Sequence, residues 1–298
     1  MPVLLIFVDG LGVGTRGRHN PLDALGEAAA PLAVFREEEP RLPFGGLLAL
    51  TDARLGVEGR PQSASGQTTI LTGVNVPALL GHHKQGFPNE RMREVLREHS
   101  LFLKLKRLGR GPDLFANAYH PQFFVKRPRW VAATTVAVEA AGLPFRTFDD
   151  LKEGRALFHE FDNRALAERG HDVPLRTPEE AAAILAKLSA GHRFTLYEHF
   201  AADRAGHEQD ERAALSILGG LARLVRATLS LVDLARTTVL LTSDHGNVED
   251  LSTRNHTLSA VPTLAWGRHK ELVARRVRTL ADITPTILEI LSEEGATQ

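Results

Sequence analysis

Acidic and imidazole residues stand just after several short, strongly apolar runs of this sequence. They are Asp9, Asp203, His207, Asp244 and His245. Runs this apolar are typical of strands that are buried on both faces. Because open α/β sheets bind their ligands outside the carboxyl ends of such strands, these five side chains are predicted to face a common ligand site. The chain has no cysteine, so a metal bound there must be held by Asp, Glu, His or hydroxyl groups.

These residues differ in how strongly each one indicates function. Asp9 precedes a glycine and alone could be a turn or cap residue. Asp203 and His207 are four residues apart, which puts them on one helix face or in one turn, but a solvated pair would have the same spacing. The adjacent Asp244 and His245 are the stronger signal, because burying both after an apolar strand has a desolvation cost that folding alone does not explain. His256, in the segment RNHTLSAVP, precedes a further apolar run.

The segment PQSASGQTTILTG at 61–73 is rich in small and hydroxyl residues and leads into a predicted helix. Ser63, Ser65 and the first backbone N–H groups could bind an anion at the helix N-terminus, although a polar helix cap is the plainer interpretation. The segment lacks the Gly-Lys-Ser/Thr ending of a P-loop. The absence of a Gly-x-Ser-x-Gly elbow disfavours an acyl-transfer triad.

Alternating strand and helix patterns would position these residues. The predicted strands are the apolar runs at 3–8, 114–118, 194–200, 238–243 and 261–267. Leucine and valine recur every three or four residues in 208–234, which predicts a long helix, and a second helix is predicted over 282–292 with Asp282 as its N-cap. This alternation predicts an α/β sheet.

Composition excludes several classes of protein. The chain has 298 residues, 43% of them hydrophobic, with 36 Lys and Arg against 36 Asp and Glu. Such a chain is long and apolar enough to form a core, so it is not disordered. Zero net charge gives no global attraction to nucleic acid or to an anionic membrane, so neither is expected as a partner. No apolar run is long enough to predict a transmembrane helix, and we expect a cytoplasmic protein. The oligomeric state is left open.

The segment 121–190 differs from the rest because prolines and arginines are spread through it. We interpret it as an inserted cap that contributes substrate selectivity, which makes 1–120 and 191–298 a discontinuous catalytic core. More peripheral structure of one domain is the alternative. A bidentate guanidinium could bind the distal part of a phosphorylated substrate, and the candidates are Arg127, Arg129, Arg155 and Arg164. Any one of them could instead be a solvated surface residue.

Taken together, the motifs resemble the alkaline phosphatase superfamily, and within it the branch of cofactor-independent phosphoglycerate mutase and phosphopentomutase. The matching positions, in order, are Asp9-Gly10, Ser63 in QSASGQTTILTG, Asp203-x-x-x-His207, Asp244-His245-Gly246-Asn247 and His256. The resemblance covers roughly 1–120 and 190–298, including the tail DITPTILEIL. It implies a three-layer α/β core with a mostly parallel central sheet and a small inserted cap.

The resemblance also implies a role for each matching residue. One divalent metal would be held by Asp203, His207 and His256. A second would be held by Asp9, Asp244, His245 and the hydroxyl oxygen of Ser63. Ser63 would be the nucleophile that takes up the phosphoryl group of a small phosphorylated substrate.

The charge of these groups fits two metals. Three carboxylates and a serine alkoxide carry about four negative charges, which balance two divalent cations and let a phosphate dianion approach. A mixed carboxylate and imidazole ligand set suits Mn²⁺ or Zn²⁺ better than Ca²⁺.

The sequence departs from the mutase branch in two places. The Arg- and Asp-rich signature of the mutase cap is missing from 121–190, so the mutase substrate is not carried over. The nucleophile segment has Gly66-Gln67 where that branch usually has Gly-His. After it comes GHHKQGFPN at 81–89, whose His82, His83 and Lys84 could face the phosphate or assist proton transfer, or could be exposed loop residues.

The function predicted from the sequence is therefore phosphoryl transfer, by a phosphomutase or phosphatase acting through phosphoserine at residue 63. A phosphodiesterase of the same superfamily is an alternative, since the ligand set does not distinguish monoesters from diesters. A sulfatase is disfavoured because SASGQ lacks the Pro and Arg of the sulfatase maturation motif. The alternative that is not an enzyme is a metal-stabilised binding module.

Overall fold

The fold is built on one six-stranded sheet. The computed structural model describes residues 2–109 and 111–292. The strands are β1 (Val3–Val8), β2 (Leu47–Thr51), β3 (Asp113–Phe115), β4 (Phe194–His199), β5 (Thr238–Thr242) and β6 (Val261–Gly267). Their order in the sheet is β2-β6-β5-β1-β4-β3. β3, β4, β1 and β5 are parallel to one another, whereas β6 runs antiparallel to both of its neighbours.

Fourteen helices in the described residues surround this sheet. They are α1 (Pro21–Leu25), α2 (Ser63–Thr72), α3 (Val76–Leu80), α4 (Glu90–His99), α5 (Leu101–Arg107), α6 (Pro121–Val125), α7 (Ala133–Ala141), α8 (Phe148–Lys152), α9 (Arg164–Glu168), α10 (Pro178–Gly191), α11 (Ala201–Glu208), α12 (Glu211–Leu231), α13 (Lys270–Arg276) and α14 (Ile283–Ser292). Three short 3₁₀ helices cover 26–29, 43–45 and 280–282.

Both faces of the sheet are buried, and β1 illustrates the reason. Its residues alternate between two hydrophobic clusters: Leu4 and Ile6 lie in one, while Val3 and Leu5 lie in the other. Successive side chains of a strand point to opposite faces, so a run without polar residues requires an apolar layer on each side. The result is a three-layer α/β fold with a mostly parallel central sheet, which confirms the predicted fold class.

The predicted elements are close to the observed ones. All five predicted strands are present, with β3 shorter than its apolar run and continued only by isolated bridges at Asn117 and Ala118. The helix predicted over 208–234 is α12, and its N-cap is Asp210. Asp282 precedes α14, but its carboxylate forms a capping box with Thr279 one turn earlier. The edge strand β2 is not among the sequence predictions, since it is short and only partly buried.

The long helix α12 packs against α10, α1 and α11. By length and hydropathy alone it could cross a bilayer. Its buried side, which includes Leu218, Leu221 and Val225, lies in one of the two main hydrophobic clusters. In this fold α12 therefore forms part of a core layer.

The segment 121–190 connects the parallel neighbours β3 and β4 and packs partly into the core. Val136 and Ala137 of α7 belong to one main cluster, and Leu185 of α10 belongs to the other. A separate small cluster is formed by Ala118, Phe148, Leu151, Ala156, Phe158 and Leu166. Two of the helices of this segment are thus core layers. The division into core and cap, with a role in selectivity, stays a prediction.

The last residue of β6 packs closely against neighbouring backbone. Gly267 has φ of 85°, and a Cβ built on it would lie 2.0 Å from the carbonyl oxygen of Thr237. A left-handed conformation costs about 1–2 kcal/mol for a residue with a side chain, and displacing backbone adds to that. We expect Gly267→Ala to lower the free energy of unfolding by at least about 2 kcal/mol, measured by urea denaturation.

Gly191→Ala is the matched control. Gly191 is the last residue of α10, and a Cβ built there meets no atom within 4 Å. Because alanine favours helix more than glycine does, we expect this variant to be unchanged or more stable by up to about 1 kcal/mol. Equal destabilisation by the two substitutions would contradict the close approach at Gly267.

Candidate metal centre and phosphoryl-transfer site

The sheet topology brings the distant candidate residues together. Asp9 follows β1, α11 with Asp203 follows β4, and Asp244 follows β5, so the three carboxylates come from one edge of the parallel strands. β6 runs in the opposite direction and therefore begins at that edge. His256 shortly precedes β6 in the chain and therefore lies at the same edge, beside the carboxylates.

The first group consists of Asp203, His207 and His256. The Nε2 atoms of the two imidazoles are 3.1 Å apart, and they lie 3.3 Å and 3.6 Å from the Asp203 carboxylate. The Nδ1 atoms lie 2.7 Å from the Arg254 carbonyl and 2.8 Å from the Pro61 carbonyl. Since a carbonyl only accepts, each Nδ1 carries a proton, which leaves both Nε2 atoms turned towards the Asp203 carboxylate. In this orientation the two Nε2 atoms and the carboxylate are placed to hold one cation.

The second group consists of Ser63, Asp9, Asp244 and His245. His245 Nε2 lies 2.9 Å from Ser63 Oγ, 3.3 Å from the Asp9 carboxylate and 3.6 Å from the Asp244 carboxylate. Asp244 and His245 are fully buried, and Asp9 is nearly so. The groups adjoin, because the His245 and His256 rings stack with centroids 3.6 Å apart. All seven residues predicted to ligate metal thus lie in one cluster.

Gln67 joins two of these carboxylates. Its Nε2 lies 3.2 Å from Oδ2 of Asp9 and 3.2 Å from Oδ2 of Asp244. An amide nitrogen carries two hydrogens, so it can donate to both. The glutamine that departs from the family pattern is therefore a positioning residue, and it holds the two acids side by side.

The charges in the cluster are unbalanced. Burial, followed by the charge on Asp9, raises the pKa of Asp244 well above its usual range. Burial opposes a charge on His245, but Asp244 and Asp9 outweigh it and raise the pKa of that imidazole to about 10. Burial and the charge on His245 lower the pKa of His256 to about 4. Asp9, Asp203 and Asp244 thus surround His245, and the proton on this imidazole adds to the hydrogen bonds from Gln67 in offsetting their repulsion.

The buried donor atoms fit a divalent cation. Oδ1 of Asp9, Oδ1 of Asp244 and Nδ1 of His245 are buried without a hydrogen-bond partner among the described residues. Leaving buried polar atoms unpaired is costly, whereas coordinating a cation would satisfy them. Two sets of donor atoms, one from Asp203, His245 and His256 and one from Asp9, Asp244 and His245, each lie close enough together to hold one ion. Carboxylate and imidazole ligands suit Mn²⁺ or Zn²⁺.

Ser63 has the most accessible hydroxyl of α2. It is the first residue of the helix and is half-buried, whereas Ser65, Thr68 and Thr69 are fully buried. The hydroxyls of those three donate to backbone carbonyls three or four residues earlier. Only the Ser63 hydroxyl faces the cluster, and the positive end of the helix dipole lies beside it.

Two residues with no role assigned from the sequence hold the ligand loops together. Asn247 Nδ2 lies 2.7 Å from Oδ1 of Asp203 and so joins the loop after β5 to α11. Glu249 is 2% exposed and accepts the N–H groups of Gly12 at 3.0 Å and Asn247 at 2.7 Å, together with the Thr257 hydroxyl. This carboxylate therefore ties together the loop after β1, the loop after β5 and the segment before β6.

The loop after α3 approaches Ser65 through its backbone. Lys84 N donates to Ser65 Oγ at 3.1 Å, while Lys84 Nζ reaches the carbonyl of Gln85. His83 Nε2 lies 3.3 Å from the Val57 carbonyl, and burial lowers its pKa. His82 is exposed, with Nδ1 3.1 Å from the Leu80 carbonyl. The side chains of these three candidates for substrate binding contact their own loop and its neighbours.

The four candidate arginines contact residues of their own segment. Arg127 pairs with Glu139, and Arg129 lies over the Trp130 ring at 5.1 Å. The other two pair with nearby acids, Arg155 with Asp150 at 2.8 Å and Arg164 with Asp162 at 3.5 Å. Among the described residues none of the four guanidinium groups contacts the metal-ligand cluster. Their role in substrate binding stays a prediction.

Comparison with known proteins supports the resemblance. Residues 175–294 match the model of the Metalloenzyme superfamily. The 2,3-bisphosphoglycerate-independent phosphoglycerate mutase of Syntrophotalea carbinolica is 28% identical over 124 residues, which are 39% of this chain and 24% of that protein. The matched region therefore spans about a quarter of the mutase.

Solved structures resemble the whole chain. Alkaline phosphatase from the Antarctic bacterium TAB5 has a TM-score of 0.55 at 15% identity and covers 98% of both chains. Cold-active alkaline phosphatase from Shewanella sp. has a TM-score of 0.55 at 12% identity, with coverage of 98% of this chain and 100% of the other. At these identities the likeness concerns the fold alone. The resemblance predicted from the sequence is confirmed: the chain has the alkaline phosphatase-like fold and is similar in sequence to the Metalloenzyme superfamily.

Proposed function

We propose that this protein is a phosphoryl-transfer enzyme that uses two divalent cations and the Ser63 hydroxyl to act on a small phosphorylated metabolite. The observation that carries the proposal is the placement of one accessible hydroxyl, at a helix N-terminus, beside two adjoining groups of electron-pair donors. In the first group the Nδ1 atoms of His207 and His256 donate to backbone carbonyls, and both Nε2 atoms crowd against the Asp203 carboxylate. Such an arrangement is unfavourable without a cation.

The residues would divide between two ions. Asp203, His207 and His256 would hold one, and Asp9, Asp244, His245 and Ser63 Oγ would hold the other. Bound cations would lower the pKa of the hydroxyl and offset the negative charge that develops on the phosphoryl oxygens.

Ser63 Oγ is the proposed nucleophile. It would form a P–O bond to the phosphorus of the substrate as the bond from phosphorus to the leaving oxygen breaks, which gives phosphoserine and a free alcohol. The first N–H groups of α2 have no partner within the helix and can donate to the phosphoryl oxygens. Gln67 would keep the Asp9 and Asp244 carboxylates in place while the charge next to them changes.

The fate of phosphoserine separates a phosphatase from a phosphomutase. In a phosphatase water takes the phosphoryl group, whereas in a mutase it returns to another hydroxyl of the substrate. A screen of phosphorylated metabolites with Mn²⁺ or Zn²⁺, following free phosphate and isomerised product together, distinguishes the two. Cleavage of bis-aryl phosphate but not aryl phosphate would indicate a phosphodiesterase. Stable metal binding without any turnover would indicate a binding module.

The proposed ligands can be tested by measuring the metal content of the protein. We expect close to two equivalents of Mn²⁺ or Zn²⁺ per chain by elemental analysis after metal loading and desalting. His256→Ala removes a ligand of one group and Asp244→Asn a ligand of the other, so each variant should lose about one equivalent, and the double variant both.

Residues outside the cluster provide the controls. His99 and Asp172 are exposed, and among the described residues their side chains form ion pairs only with Glu98 and Lys152. His99→Ala and Asp172→Asn should keep two equivalents. Activity with a metal content near zero, or full occupancy in the double variant, would contradict the proposed ligands.

Phosphoenzyme formation is the second prediction. Acid quenching during turnover, followed by peptide mass spectrometry, should find phosphate on Ser63. Ser63→Ala should abolish the phosphopeptide and lower kcat by at least about a thousandfold, because the covalent route is lost.

Ser65→Ala is the matched variant, two residues along the same helix. Its hydroxyl is buried and accepts the N–H of Lys84, so we expect a partial loss of activity with phosphate still on Ser63. Phosphate on Ser65 or Thr68, or full turnover by Ser63→Ala, would overturn the assignment of the nucleophile.

A further inference from the structure

Apart from the candidate metal centre, the protein has a polar cavity of about 530 Å³ beside the end of β4. Its lining comes from the end of β4, the start of α11, the middle of α12, and the segments around 160–164 and 176–178. None of the seven metal-ligand candidates is among the residues described as lining it. The cavity is therefore distinct from the metal centre, although Arg204 in its wall is the chain neighbour of Asp203.

The cavity is rich in guanidinium groups. Its arginines are Arg164, Arg176, Arg204, Arg223 and Arg226, and the acids in its lining are Glu160 and Asp162. Three of the arginines are paired, Arg164 with Asp162, Arg204 with Glu160 and Arg223 with Glu179. The other two have no ion pair with any acid in 2–109 or 111–292. Hydrogen bonds, with a smaller contribution from the charges of Arg226 and Arg176, lower the pKa of the nearby Glu179 and Glu180, but the two arginines form no ion pair with them. The lining itself has five arginines and two acids.

The two unpaired arginines are only partly satisfied. Arg176 Nη2 donates to the Leu151 carbonyl, but its Nη1 is buried and has no partner in the described chain. Arg226 Nη1 lies 3.5 Å from the Ala30 carbonyl, at the limit of a hydrogen bond. Guanidinium groups with free donors are suited to bidentate binding of a phosphate.

His199 adds a buried acceptor to the same wall. It is 2% exposed, and its Nδ1 lies 2.7 Å from the His159 carbonyl. Because that carbonyl accepts, Nδ1 carries the proton and Nε2 has a lone pair. Nε2 is buried and has no partner among the described residues. A ligand hydroxyl could donate to it.

Two consecutive glycines in α12 contribute to the space. Gly219 and Gly220 lie in the middle of this 21-residue helix and line the cavity. Glycine inside a helix is destabilising relative to alanine, so the pair weakens α12 where it borders the cavity. A Cβ on Gly220 would lie 3.3 Å from Cζ of Phe161, which also lines the cavity, whereas a Cβ on Gly219 would lie 3.6 Å from Leu25 Cδ2.

We propose that this cavity is a second ligand site, which binds a small phosphate ester bearing a free hydroxyl group. The phosphate lies against Arg176 and Arg226, and the hydroxyl donates to Nε2 of His199. The site needs no metal, so it is independent of the phosphoryl-transfer centre and of its proposed activity.

Isothermal titration of the full chain with glycerol 3-phosphate, with and without EDTA, tests this proposal. We expect a binding event that persists in EDTA. Propyl phosphate has the same phosphate and chain length without the hydroxyls, and it should bind about tenfold more weakly because Nε2 is then left without a donor. Binding that disappears in EDTA, or equal affinity for the two esters, would overturn the proposal.

Variants locate the binding event. The double substitution Arg176→Gln with Arg226→Gln should weaken the EDTA-resistant binding of both esters by at least about tenfold, because it removes both unpaired charges. Arg212→Gln, an exposed position on α12 outside the cavity, is the matched control and should bind like the unmodified chain. His199→Phe should bind the two esters equally. Unchanged affinity in the double variant would place the ligand elsewhere and refute the site.

Discussion

The carboxylate of Glu249 is the contact on which the geometry of the candidate metal centre depends. It accepts hydrogen bonds from Gly12, Asn247 and Thr257, one in each of the three loops that carry Asp9, Asp244 and His256. Hydrogen bonds to an ionised acceptor are stronger than neutral ones, and here they are shielded from water. A Cβ on Gly12 or Gly246 would lie 2.2 Å from Oε1 of Glu249, so the glycines of both motifs are needed for its approach.

This arrangement explains how like charges can be held together. Asp9, Asp203 and Asp244 would separate if their loops were free, because burial strengthens their mutual repulsion. The hydrogen bonds from Gln67 and Asn247 oppose that separation from two sides. The fold thus supplies the energy that keeps the acids in place, and a pair of cations would convert their repulsion into attraction.

Much of this site is predictable from the sequence because several of its candidate ligands follow apolar strands. The positions of Asp9, Asp244 and His245 can be predicted from strand ends alone, and sheet topology accounts for the rest of the cluster. Glu249 and Asn247 lie in the same loop as Asp244, yet their roles depend on which N–H groups and carboxylates approach them across more than 40 residues of chain. Local sequence patterns do not reveal contacts between residues so far apart in the chain.

The packing of the segment 121–190 is hard to predict from the sequence for a related reason. Its prolines and arginines resemble an insertion, but Val136 and Leu185 pack into the main clusters, and such packing depends on partners distant in the chain. The second cavity was not predicted either. Arg176, His199 and Arg226 are separated by more than 20 residues each, and only the fold brings them to one wall.

The antiparallel strand β6 has a consequence for the order of events during synthesis. The candidate metal ligands extend from Asp9 to His256, and β1 lies between β4 and β5, so neither group of candidates can assemble on a partial chain that ends before β5. The group containing His256 needs the start of β6 as well. If these residues hold the proposed cations, synthesis must therefore pass His245 before either group is complete. A nascent chain bearing only Asp9 would present neither complete ligand group.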